Sequence, residues 1–310
     1  MSRPAEPQAY VNGQWLLASQ ASIGLTDAGF VLGVTVTEQL RTFAGRLFRL
    51  EEHLDRLERS LAITGISPGH SRAELGQIAE RLAAENHALL PVGRDLGLAI
   101  LVTPGPYGSF AGQAGRPTLV LHTYPLAFGR WAAKYRTGEM LAATTIEMVS
   151  ERSWPAELKC RSRMHYYLAD LEAGRSHPGA RAVLCDGAGN VRETAVANVL
   201  MVQSKQGRVT LVSPPRGTVL PGISLAAAVD LARQNGWQFE ERDFTVEALA
   251  STDEVLLTST PWCILPATRF QDRAIGTGAP GPVFTELMAD WSHSVGLDVI
   301  AQADSAASAP

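Results

Sequence analysis

Lysine is scarce in this chain: only Lys134, Lys159 and Lys205 occur among 27 basic residues. Lys159 stands in Ala156-Glu157-Leu158-Lys159-Cys160-Arg161-Ser162-Arg163-Met164, beside an apolar residue at the expected start of a helix. Lys134 and Lys205 lie in polar, loop-like surroundings. Arginine cannot lose its proton near neutrality, whereas a desolvated lysine can, and only then is it a nucleophile or a Schiff-base partner. Taken alone, Lys159 reads as an ordinary solvated lysine at a helix start. Other residues with suitable chemistry bear on that choice.

Three further groups have chemistry that would complement such an amine. Glu193, in Asn190-Val191-Arg192-Glu193-Thr194-Ala195-Val196-Ala197-Asn198, follows a turn and precedes a strand, with small neighbours that admit a flat ring. Pro221-Gly222-Ile223-Ser224 opens a helix with a glycine at its entry and a hydroxyl in its first turn. The free N–H groups and partial positive charge of such a terminus bind phosphate. Arg56, in His53-Leu54-Asp55-Arg56-Leu57, lies beside the face formed by Leu54, Leu57 and Leu61, so a bidentate phosphate contact is open to it. Singly, these are an exposed strand glutamate, ordinary helix-start residues and a solvated arginine. Together they match what a phosphate-bearing aldehyde with a pyridine ring needs: an amine, a carboxylate for the ring nitrogen and donors for the phosphate.

The elements that must position these groups are legible in outline. Tyr10 to Leu16 reads as a hairpin around Asn12-Gly13. Val34 to Phe43 reads as a strand, Glu51 to Ile63 and the segment of Leu75, Ile78 and Leu82 as helices, and Leu96 to Thr103 and Pro117 to Thr123 as strands. The stretch from Tyr124 to Gly138 has no sustained period and reads as a connection. Beyond it come strands Met140 to Met148 and Arg181 to Cys185, a helix after Lys159, and strands through Val202 and over Val209 to Val212. A helix Gly222 to Gln234, a strand Glu254 to Thr258 and a helix Pro282 to Ser294 complete the pattern. The expected organisation is a smaller α+β domain over 1–123, a connection over 124–138, a larger α+β domain over 139–300 and a frayed tail over 301–310.

Composition narrows the function classes. A chain of 310 residues exceeds what one core usually fills, and 45% hydrophobic with 19% charged residues supports folded domains. A net charge of −4 gives no reason to expect nucleic acid or an anionic membrane as partner. Cys160, Cys185 and Cys263 are odd in number and widely spaced, which fits a reducing cytoplasm better than a disulfide framework or a zinc site. No HxxxH pair supports metal hydrolysis. Met1 to Pro7 has no apolar h-region, and no apolar run reaches the ~18 residues of a membrane span. A nicotinamide dehydrogenase is disfavoured, because no GxGxxG follows a first strand.

In order and flanking residues, these segments resemble the class IV aminotransferases, the pyridoxal-phosphate enzymes of fold type IV. That family includes branched-chain and D-amino-acid aminotransferases, R-selective amine transaminases and aminodeoxychorismate lyase. The resemblance runs from about Tyr10 to about Phe270. Asp27-Ala28-Gly29-Phe30 with Gly33 looks like the family's N-terminal turn, and Glu38 to Arg41 its following strand. His53-Leu54-Asp55-Arg56-Leu57 with Ser60 matches the His-x-x-Arg-Leu segment and implies that Arg56 holds the cofactor phosphate. Leu158-Lys159 matches the lysine that carries the cofactor, and Arg152 is placed like an arginine that approaches its phenolic oxygen. Glu193 and Asn198 match a Glu-x-x-x-x-Asn pattern whose glutamate pairs with the pyridine nitrogen. Leu220-Pro221-Gly222-Ile223-Ser224 implies ring packing by Leu220 and phosphate binding at Gly222, Ile223 and Ser224. Glu254 to Thr260 resembles a later strand that brings Thr260 to the phosphate. The resemblance implies an α+β, two-domain fold type IV enzyme whose larger domain binds pyridoxal 5′-phosphate, a homodimer, and transfer of an amino group from an amino acid or primary amine to a 2-oxo acid.

Departures from the pattern fall where substrate would bind. Pro104-Gly105 replaces an arginine-glycine pair common in D-amino-acid aminotransferases and the lyase, and Ala99 takes the place of an arginine of the branched-chain pattern. Thr37 replaces an aromatic and Ser162 an asparagine. Thr37, Arg41, Tyr107 and Pro261 are candidate substrate residues, with Tyr107 and Phe110 in a glycine-rich segment suited to a lid. Arg41, Arg161, Arg163 and Lys134 are the remaining basic candidates for a substrate carboxylate. Aminodeoxychorismate lyase chemistry is the alternative on the same scaffold, and the missing arginine at Pro104 argues against it. A noncatalytic relative is a further alternative, opposed by the joint retention of Lys159, Glu193 and Arg56.

Overall fold

A computed structural model of the chain describes residues 6–113 and 115–308. Its contacts divide the chain into two units: one runs to Leu126 and includes Leu158–Ser162, and the other comprises Ala127–Glu157 and the chain from Arg163 onward.

The first unit opens with β1 (Gln8–Val11) and β2 (Gln14–Leu17). Asn12 and Gly13 between them take positive φ angles of 49° and 90°, the tight turn that Asn-Gly favours. There follow α1 (Ala28–Val31), β3 (Val36–Phe43), β4 (Arg46–Leu47), α2 (Leu50–Thr64), α3 (Arg72–His87), β5 (Leu96–Thr103), α4 (Gly108–Ala111) and β6 (Thr118–Pro125). The strands form one antiparallel sheet in the order β2-β1-β6-β5-β3-β4. In α2, Glu51 and Glu52 stand in the first turn, where the helix dipole favours acids, and Gly65 at φ 68° ends the helix. Ser71 and Glu74 close a capping box at the start of α3. Leu54, Leu57 and Leu61 of α2 join Leu75 and Leu82 of α3 and Val36, Leu40, Leu98 and Ile100 of the sheet in one core. Each buried leucine contributes roughly 1.5–3 kcal/mol. On β3 the strand period places Glu38 between Val36 and Leu40, on the same inward face.

The second unit contains α5 (Lys134–Thr137), β7 (Glu139–Ala143), α6 (Met164–Ser176), β8 (Arg181–Cys185), β9 (Val191–Thr194), β10 (Asn198–Lys205) and β11 (Arg208–Ser213). It continues with α7 (Ile223–Gln234), β12 (Gln238–Glu241), α8 (Val246–Ala250), β13 (Glu254–Ser259), β14 (Cys263–Phe270), β15 (Arg273–Ala274), α9 (Pro282–Val295) and α10 (Val299–Ser308). The sheet runs β12-β11-β10-β13-β14-β7-β8-β9, and β9 pairs back onto β10 at Glu193 and Asn198. Six strands therefore close into a ring, with β11 and β12 as an extension from β10. Glu193 and Asn198 are the pair at the point of closure.

Several elements differ from the sequence expectations. Residues 301–308, expected as part of a frayed tail, lie in α10, where Gln302, Ala303 and Ala306 are buried; the final two residues lie outside those described. Small side chains let this helix approach its neighbours closely, so polarity and small size misled. The stretch 127–138 is not a plain connection: Phe128, Trp131 and Tyr135 are buried in the second unit, each from a turn too short to show a period. The strand expected to reach Met148 stops at Ala143. The helix expected at Lys159 begins only at Met164, because Leu158–Ser162 is held extended beside β3. Strand β14, a run of buried residues, has no counterpart in the sequence reading, since a short continuous apolar run carries no period.

Candidate active site

In the first unit, Lys159 is half-buried and both of its backbone groups are tied down. Its N–H donates to Ser60 Oγ at 3.2 Å and its carbonyl accepts from the Thr37 N–H at 3.0 Å. The Arg161 N–H donates to the Thr35 carbonyl at 2.9 Å, and Cys160 bridges to Val36. Beside this segment lies a buried ionic cluster. Arg56 donates from Nε to Glu38 Oε1 at 2.7 Å and from Nη2 to Glu38 Oε2 at 2.8 Å. His53 Nδ1 donates to Glu38 Oε2 at 2.8 Å. Burial alone would raise the Glu38 pKa, but the charge of Arg56 and the hydrogen bonds from Arg56 and His53 outweigh it and hold the carboxyl well below the usual range. Burial pushes the His53 pKa down, helped by the charges of Arg56 and Lys159, against the raising effect of Glu38. A neutral His53 fits its place as a donor to the carboxylate.

In the second unit, the ring closure clasps a loop. The Leu220 N–H donates to Glu193 Oε1, and Asn198 Nδ2 donates to the Leu220 carbonyl at 2.9 Å. Two residues on, Gly222 is the N-cap of α7, with φ −67° and no side-chain hydrogen bond over the helix end. A Cβ built on Gly222 would run into Asn198 Oδ1, so a larger residue here must displace the side chain that holds the Leu220 carbonyl. Ile223 and Ser224, the first two residues of α7, are buried. The turn from β9 to β10 is braced by Arg163 Nη2, which donates to the Ala195 carbonyl, and by Ser259 Oγ, which donates to the Val196 carbonyl at 2.6 Å.

The other candidates have varied surroundings. Thr37 is buried and holds Lys159 through its backbone. Arg41, a candidate for the substrate, is 1% exposed; it donates from Nε to the Thr42 carbonyl and its guanidinium lies 3.9 Å over the Phe43 ring. Lys134, expected in polar, loop-like surroundings, begins the short helix α5 and pairs with Glu139, a carboxylate 2% exposed that also accepts from Arg181. Arg152 has an exposed side chain, and its N–H donates to Ser150 Oγ at 3.2 Å. Tyr107 caps α4 with its ring edge-on to Phe110. Thr260 and Pro261 are half-buried in the turn between β13 and β14. Arg161 is exposed, and its charge reaches His122 and Tyr124 of β6.

Residues 35–270, well over half of the chain, match the family described as amino-transferase class IV. The chain belongs to the class IV aminotransferase family. It is a pyridoxal-phosphate-dependent aminotransferase with the two-domain α+β architecture of fold type IV. D-alanine aminotransferase of Bacillus licheniformis is 28% identical over 286 residues, covering 92% of this chain and 95% of that protein. Branched-chain-amino-acid aminotransferase-like protein 1 of Arabidopsis thaliana is 27% identical over 282 residues, covering 89% of this chain and 48% of that protein. Among solved structures, the branched-chain aminotransferase of the thermophilic archaeon Thermoproteus uzoniensis, with norvaline, superposes with a TM-score of 0.78 at 20% identity, covering 96% of this chain and 95% of that one. The Escherichia coli branched-chain amino acid aminotransferase gives 0.77 at 23% identity, covering 93% of this chain and 94% of that one. The lyase alternative is not favoured, since these relatives are aminotransferases by name.

The chemistry of this aminotransferase's own residues suits the cofactor. A helix start without a side-chain cap, entered through a glycine packed against Asn198, can receive a phosphate on its N–H groups. The Glu193 carboxylate, anchored by the Leu220 N–H, has the chemistry to accept from a protonated ring nitrogen. The residue that sequence reasoning passed over is Glu38, seen there only as the start of a strand segment. Its signal was present: an acid at an inward strand position, with His53 and Arg56 one turn apart on the apolar side of a helix.

Proposed function

We propose that this aminotransferase moves an amino group between an amino acid or other primary amine and a 2-oxo acid, with Lys159 carrying the cofactor. Bound pyridoxal phosphate supplies a carbonyl for the amine and a ring that accepts electrons from the substrate carbon. Lys159, once released, holds and moves the proton at the substrate carbon through its Nζ. Glu193, oriented by the Leu220 N–H, keeps a proton on the ring nitrogen, and Asn198 holds the loop that carries Leu220 against the ring. The N–H groups of Ile223 and Ser224, the Ser224 hydroxyl, Gly222, Thr260 and Arg56 serve the phosphate, and Arg152 the phenolic oxygen. Thr37, Tyr107 and Pro261 remain the candidates for substrate contact, and Arg161 the basic candidate for its carboxylate.

The observation that carries the reading is the clasp at the ring closure: Glu193 and Asn198 hold both backbone groups of Leu220, two residues before an uncapped helix entered through a glycine packed against Asn198. The larger unit is accordingly read as the cofactor-binding domain. A homodimer is proposed from α6, where Met164, Tyr167, Leu168 and Leu171 form an exposed apolar stripe at helical spacing. A cytoplasmic location agrees with three free cysteines, and among the described residues no helix is long and apolar enough to cross a membrane.

Borohydride reduction of the cofactor-loaded protein, followed by peptide mass mapping, should place the pyridoxyl adduct on Lys159. Lys159→Ala should abolish both the adduct and the visible absorbance. An adduct on Lys134 or Lys205, or none at saturating cofactor, overturns the assignment. A panel of L- and D-amino acids and R- and S-amines with pyruvate and 2-oxoglutarate then identifies the donor and acceptor.

A further inference from the structure

Glu38 is a carboxylate with no solvent exposure, enclosed with His53 at 1% and Arg56 at 2%. A buried ion pair stabilises a fold little, and often less than apolar side chains of the same shape would. Val36 and Leu40 occupy the adjoining inward positions, so packing alone gives no reason for a charge here. What distinguishes the place is its neighbour. The Lys159 carbonyl is bonded to Thr37, the residue before Glu38, and the Lys159 N–H to Ser60, one helical turn beyond Arg56. The segment bearing Lys159 is thus tied to both elements that bear the cluster. The charge of Lys159 is felt at His53 as well.

We propose that Glu38 is a positioning residue for the reaction: it fixes Arg56 and His53 and supplies the negative charge that offsets Arg56 beside the Lys159 nitrogen. This rests on the reading that Lys159 carries the cofactor. Among the described residues of this unit, the facing groups are few. From β3 comes Glu38, from α2 His53 and Arg56, and from the extended segment Lys159, whereas the exposed Arg161 acts on His122 and Tyr124 of β6. Arg41 of β3 is engaged with Thr42 and Phe43. Glu51, Asp55 and Glu58 on the outer side of α2 pair with Arg72 of α3 near solvent, where screening weakens their reach. Glu38 takes both Nε and Nη2 of Arg56, so it sets the plane in which the guanidinium lies and the edge it turns away from β3.

The test compares Glu38→Gln, Arg56→Gln and the double variant, each loaded with saturating pyridoxal phosphate. The readout is the pH midpoint of the visible absorbance, which reports the proton on the Lys159 nitrogen. Glu38→Gln removes the carboxylate paired with Arg56, leaving only the cofactor phosphate to offset it, and should lower the midpoint by up to about one pH unit. Arg56→Gln leaves Glu38 uncompensated and should raise it, by less where Glu38 itself takes up a proton. The double variant should return to the wild-type value. A purely structural role would change cofactor affinity and melting temperature without shifting the midpoint in opposite directions, so equal or same-sign shifts overturn the proposal. Should Glu38→Gln not fold, the double variant must still titrate below Arg56→Gln, and coincident midpoints overturn it. Absence of a borohydride adduct at Lys159 in the wild type overturns the underlying reading instead.

Discussion

Gly222→Ala should disrupt the clasp in the second unit, and Asn198→Ala should largely abolish the extra cost. The backbone at Gly222 has φ −67°, which alanine adopts freely, so only space is at issue. Its new Cβ would collide with Asn198 Oδ1, and overpacking of this kind costs about 1–3 kcal/mol. Asn198→Ala alone loses the 2.9 Å bond from Nδ2 to the Leu220 carbonyl. That costs about 0.5–1.5 kcal/mol, and about 1–3 kcal/mol if the carbonyl is left unpaired. In the double variant the colliding atom is gone, so its cost should approach that of Asn198→Ala alone. The coupling should therefore be about 1–3 kcal/mol. Urea unfolding of the cofactor-free proteins measures it, provided that the slopes agree among variants. Cofactor titration should show a parallel loss for Gly222→Ala, about tenfold in dissociation constant per 1.4 kcal/mol of displaced loop. Additivity within about 0.5 kcal/mol would refute the contact.

Glu193→Gln should retain the cofactor but lose on the order of 10²–10³ in turnover, measured at saturating cofactor; near-normal turnover would remove Glu193 from the chemistry. Stability of the first unit should fall on acidification. His53 and Glu38 have folded pKa values below their ordinary 6.5 and 4.5, so the unfolded chain binds more protons, and loss begins near pH 6.5 through His53 and continues below 4.5 through Glu38. Glu254 of the second unit, raised by burial, works in the opposite direction, so melting curves should show the two units responding differently, and a flat first-unit profile from pH 7 to 4 would contradict the assignment. If the proposed dimer forms through the α6 stripe, the wild type should scatter light as a dimer and Leu168→Glu as a monomer; a monomeric wild type overturns the dimer and an unchanged variant places the interface elsewhere.

What could be read from the sequence was what local pattern encodes. Leu54, Leu57 and Leu61 announce α2 because their spacing follows the helical period, and Asn12-Gly13 announces its hairpin because few other pairs accept two positive φ angles. The motifs around Arg56, Lys159, Glu193 and Gly222 were visible for a related reason: each is a short run whose residue types are tied to backbone and chemistry within a few positions. Tertiary structure decided which of these distant runs meet. Glu38 and Arg56 lie on a strand and a helix, and nothing local to either says that one carboxylate takes two donors of the other. Glu193 reaches Leu220 across 27 positions only because β9 pairs with β10 and closes the ring there. The burial of Arg41 and the helix of 299–308 were not legible because burial depends on what packs against a segment, and neither a polar side chain nor a run of small residues carries that information. Period and turn chemistry are properties of neighbouring residues along the chain, whereas charge pairing and enclosure are properties of the folded whole.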